Sequence, residues 1–71
     1  MGKADMKRYD NLLEAMQREG VTAKDVAAAA GVSEGEAART LDGDGSFSVP
    51  EAFRIRGRLF PGYAVGWLFD R

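Results

Sequence analysis

The sequence predicts an all-α protein, a compact bundle of about five short helices. Apolar residues in the first part of the chain recur at spacings of three and four, as they do on one face of a helix. Residues that typically begin or end helices then alternate at short intervals: glycine at positions 20, 31 and 43, and serine or threonine at positions 22, 33 and 48. No segment shows the convincing two-residue alternation of a strand.

The first helix is predicted over residues 5–18, with Gly20 as its left-handed C-terminal residue. Its apolar stripe contains Met6, Tyr9, Leu12, Leu13 and Met16.

A second helix is predicted over residues 23–30 and a third over residues 34–41. Thr22 and Ser33 are the expected N-caps, with Asp25 and Glu36 three residues later as the acids of two capping boxes. Gly31 separates the helices and can adopt a positive φ, so a tight corner is expected.

The fourth helix is predicted to follow Ser48, with Pro50 in its first turn and Glu51 as its capping acid. Its inward residues are expected to be Ala52, Phe53, Ile55 and Leu59. Residues 61–62, a proline and a glycine, end it. The apolar tail, residues 63–69, is either a last short helix or an extended strap.

Composition excludes several classes of function. The 71 residues are enough for one small domain. The absence of cysteine excludes disulfides and thiolate chemistry, and the absence of histidine removes the commonest general base and transition-metal ligand. We therefore expect no enzymatic activity, cofactor, metal or small-molecule substrate. With no apolar stretch long enough for a membrane and no signal peptide, a cytoplasmic protein is expected.

Charge is unevenly distributed along the chain. The net charge is −1 overall, but residues 20–45 carry two basic and five acidic side chains, whereas residues 46–71 carry four basic and two acidic ones. The middle of the protein is therefore acidic and its C-terminal third is basic.

Residues 40–51 have the spacing of a calcium-binding EF-hand loop. Asp42, Asp44 and Glu51 fall on ligand positions, and Gly45 falls on the sharp turn. However, Thr40 stands at the first ligand position, where aspartate is required, and there is no second loop to pair with. We interpret the segment as a turn between two helices.

Residues 21–43 carry the most specific pattern in the chain. The segment reads VTAKDVAAAAGVSEGEAARTLDG and resembles the helix-turn-helix of the phage Cro- and repressor-type family, which has the lambda repressor-like fold. The positions that match this family without a gap are Thr22, Asp25, Val26, Ala27, Ala30, Gly31, Val32, Ser33, Ala37, Ala38, Arg39, Leu41, Asp42 and Gly43.

This resemblance implies a single helix-turn-helix domain over residues 1–71, with its central unit at residues 21–43. It also implies a sequence-specific DNA-binding transcriptional regulator, such as a small phage or prophage repressor. The third helix, about Glu34–Leu41, would lie in the major groove of a double-stranded operator. The residues it implies as DNA contacts are Lys24, Ser33, Glu34, Gly35, Glu36, Arg39 and Thr40.

Several of these residues have a second interpretation. Glu34 and Glu36 either accept hydrogen bonds from cytosine amino groups or serve only the N-terminus of their helix. Arg39 either contacts DNA or braces the neighbouring structure. The basic residues Arg54 and Arg58, four positions apart, either bind phosphate or form a solvated basic face.

The aromatic tail suggests self-association, because an operator-binding protein of this size is expected to be a homodimer. The candidate interface residues are Phe60, Tyr63, Trp67 and Phe69. An alternative function keeps the same fold as a protein-interaction module, such as an antirepressor or accessory subunit. In that case Glu34 and Glu36 would meet a basic partner.

Overall fold

The computed structural model describes residues 8–71 and contains helices but no strand within them. The helices are α1 (Asp10–Glu19), α2 (Ala23–Ala30), α3 (Glu34–Leu41), α4 (Val49–Leu59) and α5 (Val65–Leu68). The all-α bundle of five short helices is thereby confirmed.

Helix α1 begins later than the sequence pattern predicted. The helix starts at Asp10, and Tyr9 precedes it with non-helical dihedral angles of φ −82° and ψ 76°. Residues 5–7 of the predicted helix lie outside the described residues. At the other end, Gly20 adopts the expected left-handed conformation, with φ 69°.

The buried face of α1 also differs from the predicted stripe. Leu12, Ala15 and Met16 are buried, together with Tyr9 just before the helix. Leu13 is only half-buried, and Met6 lies outside the described residues. The small Ala15 was missed because hydrophobicity alone ranks it below the leucines, although its size lets another segment approach closely.

Helices α2 and α3 have the predicted bounds and form a compact pair, the α2–α3 unit (residues 22–41). At the start of α2, Thr22 Oγ1 accepts from the Asp25 N–H at 3.3 Å, and the Asp25 carboxylate accepts from the Thr22 N–H at 3.0 Å. Gly31 ends α2 with φ 80°. The predicted capping box and left-handed glycine are both confirmed.

The N-terminus of α3 has only half of its predicted capping box. Ser33 Oγ accepts from the Glu36 N–H at 3.1 Å, but the Glu36 carboxylate does not return a bond to the Ser33 N–H. Ala37 and Leu41 turn toward α2, whose buried residues are mostly alanines. Small side chains allow the two helices to pack closely.

Helix α4 begins as predicted, but one residue of its predicted inward face is exposed. Ser48 and Glu51 form a complete capping box, and Ile55 is fully buried. Phe53, which the sequence placed inward, is 55% exposed. The buried direction of α4 passes through Ala52 and Ile55, and position 53 lies about 100° around the helix from position 52.

The tail folds back as the short helix α5 and completes the core. Phe60 and Leu68 are fully buried, and Tyr63 and Phe69 pack against the core. No helix in residues 8–71 is long and apolar enough to cross a membrane. The buried hydrophobic cluster contains Tyr9, Leu12, Ala15, Met16, Val26, Ala27, Ala29, Ala30, Ala37, Leu41, Ile55, Phe60 and Leu68.

Candidate nucleic-acid interface

Helix α3 presents one face to solvent along its whole length. Ala37, Thr40 and Leu41 point inward and are buried. The exposed residues are Glu34, Gly35, Glu36, Ala38 and Arg39. An 8-residue helix held on one side by α2 therefore leaves its opposite side accessible to a partner.

Arg39 lies near the centre of this exposed face. It is four residues after Gly35, so the two positions are adjacent on the helix surface. Within residues 8–71, the Arg39 guanidinium forms no hydrogen bond or ion pair. The bracing role that the sequence left open is therefore not observed, and the five N–H donors of the guanidinium remain available to a ligand.

Glu34 and Glu36 flank the centre of the face at the N-terminal end of α3. Both side chains are exposed, and neither carboxylate has a hydrogen-bonded or ionic partner in the described part of the chain. The residue between them is Gly35, where an added Cβ would meet nothing within 4 Å. Nothing therefore crowds the helix surface at position 35, between the two glutamates in the sequence.

Thr40 does not belong to this face, contrary to the prediction from sequence. Its side chain is buried, and its hydroxyl donates to the Glu36 carbonyl within the helix at 3.0 Å. Position 40 lies about 60° around the helix from the buried position 37, so its side chain also falls on the buried side of α3.

Ser33 and Lys24 lie at the N-termini of the two helices of the unit. Both residues are exposed, and the Ser33 hydroxyl is already used to cap α3. Lys24 is in the first turn of α2, and its ammonium group has no partner among residues 8–71. In addition to Arg39, Lys24 is therefore a second basic side chain of the α2–α3 unit without a partner in residues 8–71.

Arg54 and Arg58 have different surroundings although both are exposed on α4. Arg54 donates from Nη2 to the Ala30 carbonyl at 3.0 Å. It thereby gives a hydrogen-bond partner to a carbonyl group at the C-terminus of α2. Arg58 borders a shallow groove of about 360 Å³ between α2 and α4, which Asp25 also lines. Of these two arginines, only Arg58 has no hydrogen bond to the protein within residues 8–71.

The loop after α3 is shaped by backbone hydrogen bonds. The Asp44 N–H donates to the Arg39 carbonyl at 2.9 Å, and the Gly43 N–H donates to the Thr40 carbonyl at 3.1 Å. Gly43 and Gly45 have φ values of 102° and 110°, which favour glycine. In residues 8–71, no three acidic side chains come close enough together to hold a metal ion.

Side chains from both ends of the described chain hold this loop in place, which the sequence did not predict. The Phe47 N–H donates to Tyr9 Oη at 3.0 Å, and the two rings lie 5.3 Å apart. The Arg71 guanidinium lies over the Tyr9 ring at 4.1 Å and donates to Ser46 Oγ at 2.8 Å. Only the aromatic content of the two segments could have suggested these contacts.

Three of the four aromatic residues predicted as a dimer interface belong to the protein's own core or pack against it. Phe60 is 1% exposed. Tyr63 and Phe69 are half-buried, and the Tyr63 hydroxyl donates to Glu19 at 3.0 Å. Trp67 is 38% exposed and stacks on Tyr63 at 5.9 Å. The tail therefore offers a partner little beyond one face of Trp67.

Comparison with known proteins adds no relative, since no protein family, curated protein or solved structure matches this chain.

Proposed function

We propose that this protein is a sequence-specific DNA-binding transcriptional regulator of the phage Cro and repressor type. Its α2–α3 unit would act as a helix-turn-helix, with α3 in the major groove of an operator. The observation that carries the proposal is the free outer face of α3, where the Arg39 guanidinium is exposed and unengaged. A surface helix with an unpartnered arginine at its centre suits the reading of base edges.

The chemistry of the face suggests which bases it reads. Arginine pairs with the O6 and N7 atoms of guanine, and glutamate accepts from the N4 amino group of cytosine. Arg39 would therefore contact a guanine. Glu34 and Glu36 would accept only cytosine among the bases that they face. Lys24, at the start of α2, would bind a phosphate and set the position of the unit without reading sequence.

The two carboxylates also support an alternative function. DNA carries about one negative charge per 1.7 Å of its axis, so an unpaired carboxylate in the groove is repelled. Because Glu36 is not used to complete the helix cap, it is free to meet a basic partner. In this alternative the same fold is a protein-interaction module, for instance an antirepressor or an accessory subunit.

Selection from a randomised duplex library at low salt distinguishes the two functions. A DNA-binding regulator should enrich a sequence with G·C pairs at the position of α3, and a dimer should enrich two half-sites about one helical turn apart. Binding should also fall steeply as salt rises. A library that yields no enriched sequence and no retained DNA would favour the protein-interaction module.

Arg39→Ala provides the matching test by substitution. Loss of a guanidinium bound to guanine should weaken binding to the selected duplex by roughly 5- to 150-fold and relax the preference at one base pair. Arg18→Ala is the control, because Arg18 is an exposed arginine of α1 that pairs with Glu14. Equal losses of DNA affinity for the two variants would show that α3 is not part of the interface.

A further inference from the structure

Helix α3 ends in a backbone motif that involves Arg39 directly. The Asp44 N–H donates to the Arg39 carbonyl at 2.9 Å, and the Gly43 N–H donates to the Thr40 carbonyl at 3.1 Å. These are the two bonds of a Schellman motif, with Gly43, at φ 102°, as the residue that follows the C-cap. The backbone of Arg39 is therefore tied to the loop after α3, residues 42–48.

Arg71 holds the next two residues of this loop. Its guanidinium donates to the Gly45 carbonyl and, at 2.8 Å, to Ser46 Oγ, and it lies over the Tyr9 ring at 4.1 Å. Gly45 in turn lies against α3, because a Cβ added to it would meet Thr40 Oγ1 at 3.8 Å. One side chain thus connects the middle of the loop, beside the last turn of α3, to the buried Tyr9.

The Schellman motif cannot replace this connection. Its two bonds fix the start of the loop relative to α3 only, since both join residues of α3 to the residues just after it. The position of the loop relative to the hydrophobic core depends on contacts with Tyr9, which belongs to that core. These contacts come from Arg71 and from the Phe47 N–H, which donates to the Tyr9 hydroxyl at 3.0 Å.

We infer that Arg71 is a positioning residue for Arg39, in a role that rests on the proposed DNA-binding function. Arg71 holds the loop and, through it, the last turn of α3, from which the Arg39 side chain reaches a base. The connection uses two hydrogen bonds at adjacent residues, from Arg71 to the Gly45 carbonyl and from the Asp44 N–H to the Arg39 carbonyl. A guanidinium must meet both O6 and N7 of guanine, so the contact depends on where its helix end lies.

Amide hydrogen exchange of the free protein tests whether Arg71 holds the loop. In Arg71→Ala, exchange at the Asp44 and Phe47 amides, on either side of the held residues, should accelerate by roughly three- to tenfold relative to the Gly31 amide. The Gly31 N–H donates to the Ala27 carbonyl at 2.8 Å in the same α2–α3 unit. A variant that only lowers the stability of the whole fold would accelerate all three amides together and leave this ratio unchanged.

Arg56→Ala is the matched control for the exchange measurement. Arg56 also donates to a backbone carbonyl, that of Tyr63 at 2.8 Å, and its substitution removes the same charge. Because this bond lies at the other end of α4 from the loop, Arg56→Ala should leave the exchange ratio unchanged.

Base preference tests the effect on Arg39. The measured quantity is the ratio of affinities for the selected duplex and for a duplex altered at the base pair where Arg39→Ala relaxes the preference. Arg71→Ala should lower this ratio by roughly three- to tenfold. In the Arg39→Ala background the same substitution should leave the ratio unchanged, because the side chain that Arg71 positions is absent.

A direct contact between Arg71 and phosphate would give a different result. It would weaken binding to all sequences equally and lower the salt dependence by about one charge, and Arg71→Lys would restore the affinity. Positioning predicts an unchanged salt dependence. It also predicts that Arg71→Lys restores the base preference only in part, because an ammonium group lacks the planar fork of donors that reaches both Gly45 and Ser46.

Two results would overturn the inference. An unchanged exchange ratio in Arg71→Ala would show that the loop keeps its position without Arg71. An equal loss of affinity for all sequences, repeated in the Arg39→Ala background, would show that Arg71 does not act through Arg39. A wild-type protein that retains no duplex would overturn the proposed function and the role at DNA with it, and the exchange ratio would still decide whether Arg71 holds the loop.

Discussion

The Phe47 N–H donates a hydrogen bond of 3.0 Å to the Tyr9 hydroxyl across 38 residues of sequence. Tyr9 is 3% exposed, and its ring also contacts Phe47 and Phe69. Because Phe47 lies between the glycine turn and α4, this bond fixes where the loop after α3 ends. The orientation of α3 against the bundle therefore depends partly on a residue that precedes α1.

Tyr9→Phe should lower the stability of the fold. It removes the acceptor for the Phe47 N–H while keeping the ring, so the free energy of unfolding should fall by about 1–2 kcal/mol. Urea unfolding followed by circular dichroism measures this. Tyr63→Phe is the control, because the Tyr63 hydroxyl bonds to Glu19 at an exposed site. Equal losses from both variants would contradict a special role for the Tyr9 hydroxyl.

The helix bounds were largely predictable from sequence because their signals are local. Thr22 and Ser48 bond to backbone and carboxyl groups only three residues away. Gly20 and Gly31 need only their own left-handed dihedral angles. Such interactions depend on spacing along the chain, which a sequence displays directly.

Burial was harder to predict, because it depends on which neighbour each helix meets. Phe53 and Phe60 are both phenylalanines at or near α4, yet one is exposed and the other is fully buried. The bond between Tyr9 and Phe47, likewise, joins segments that no periodicity connects. The same limit explains Thr40: its helix was placed correctly, but its inward orientation depends on the side that α2 covers.

Neutralising the carboxylates of α3 should strengthen non-specific DNA binding. Glu34→Gln combined with Glu36→Gln removes two negative charges beside Arg39, so affinity for mixed-sequence duplex at low salt should rise by roughly three- to tenfold. Fluorescence anisotropy across a salt series measures the change. The pair Glu14→Gln and Glu19→Gln alters the net charge equally on α1 and should have a smaller effect. If both pairs act alike, only the total charge matters and α3 is not at the DNA.

Thr40→Val tests whether the Thr40 hydroxyl serves only the helix, as the structure indicates, or also contacts DNA, as the sequence predicted. The hydroxyl donates to the Glu36 carbonyl inside the helix, so the substitution should lower stability by no more than about 1 kcal/mol. Affinity for the selected duplex should stay within about twofold, since a buried side chain cannot reach a base edge. Fluorescence anisotropy titration of Thr40→Val and Arg39→Ala, side by side, measures the two affinities. A tenfold loss of affinity in a fully folded variant would restore Thr40 to the interface.

Two glycines of the α2–α3 unit should respond to alanine in opposite directions. Gly31 has φ 80°, and an L-residue is strained there, so Gly31→Ala should lower the free energy of unfolding by about 1 kcal/mol. Gly35 lies within α3 with open space around it, so Gly35→Ala should raise stability by about 0.5–1 kcal/mol. The two variants add the same methyl group only four residues apart, and urea unfolding compares them directly. A stabilised Gly31→Ala would mean that the turn between α2 and α3 does not require a left-handed residue, and the tight corner that orients α3 would have to arise from another contact.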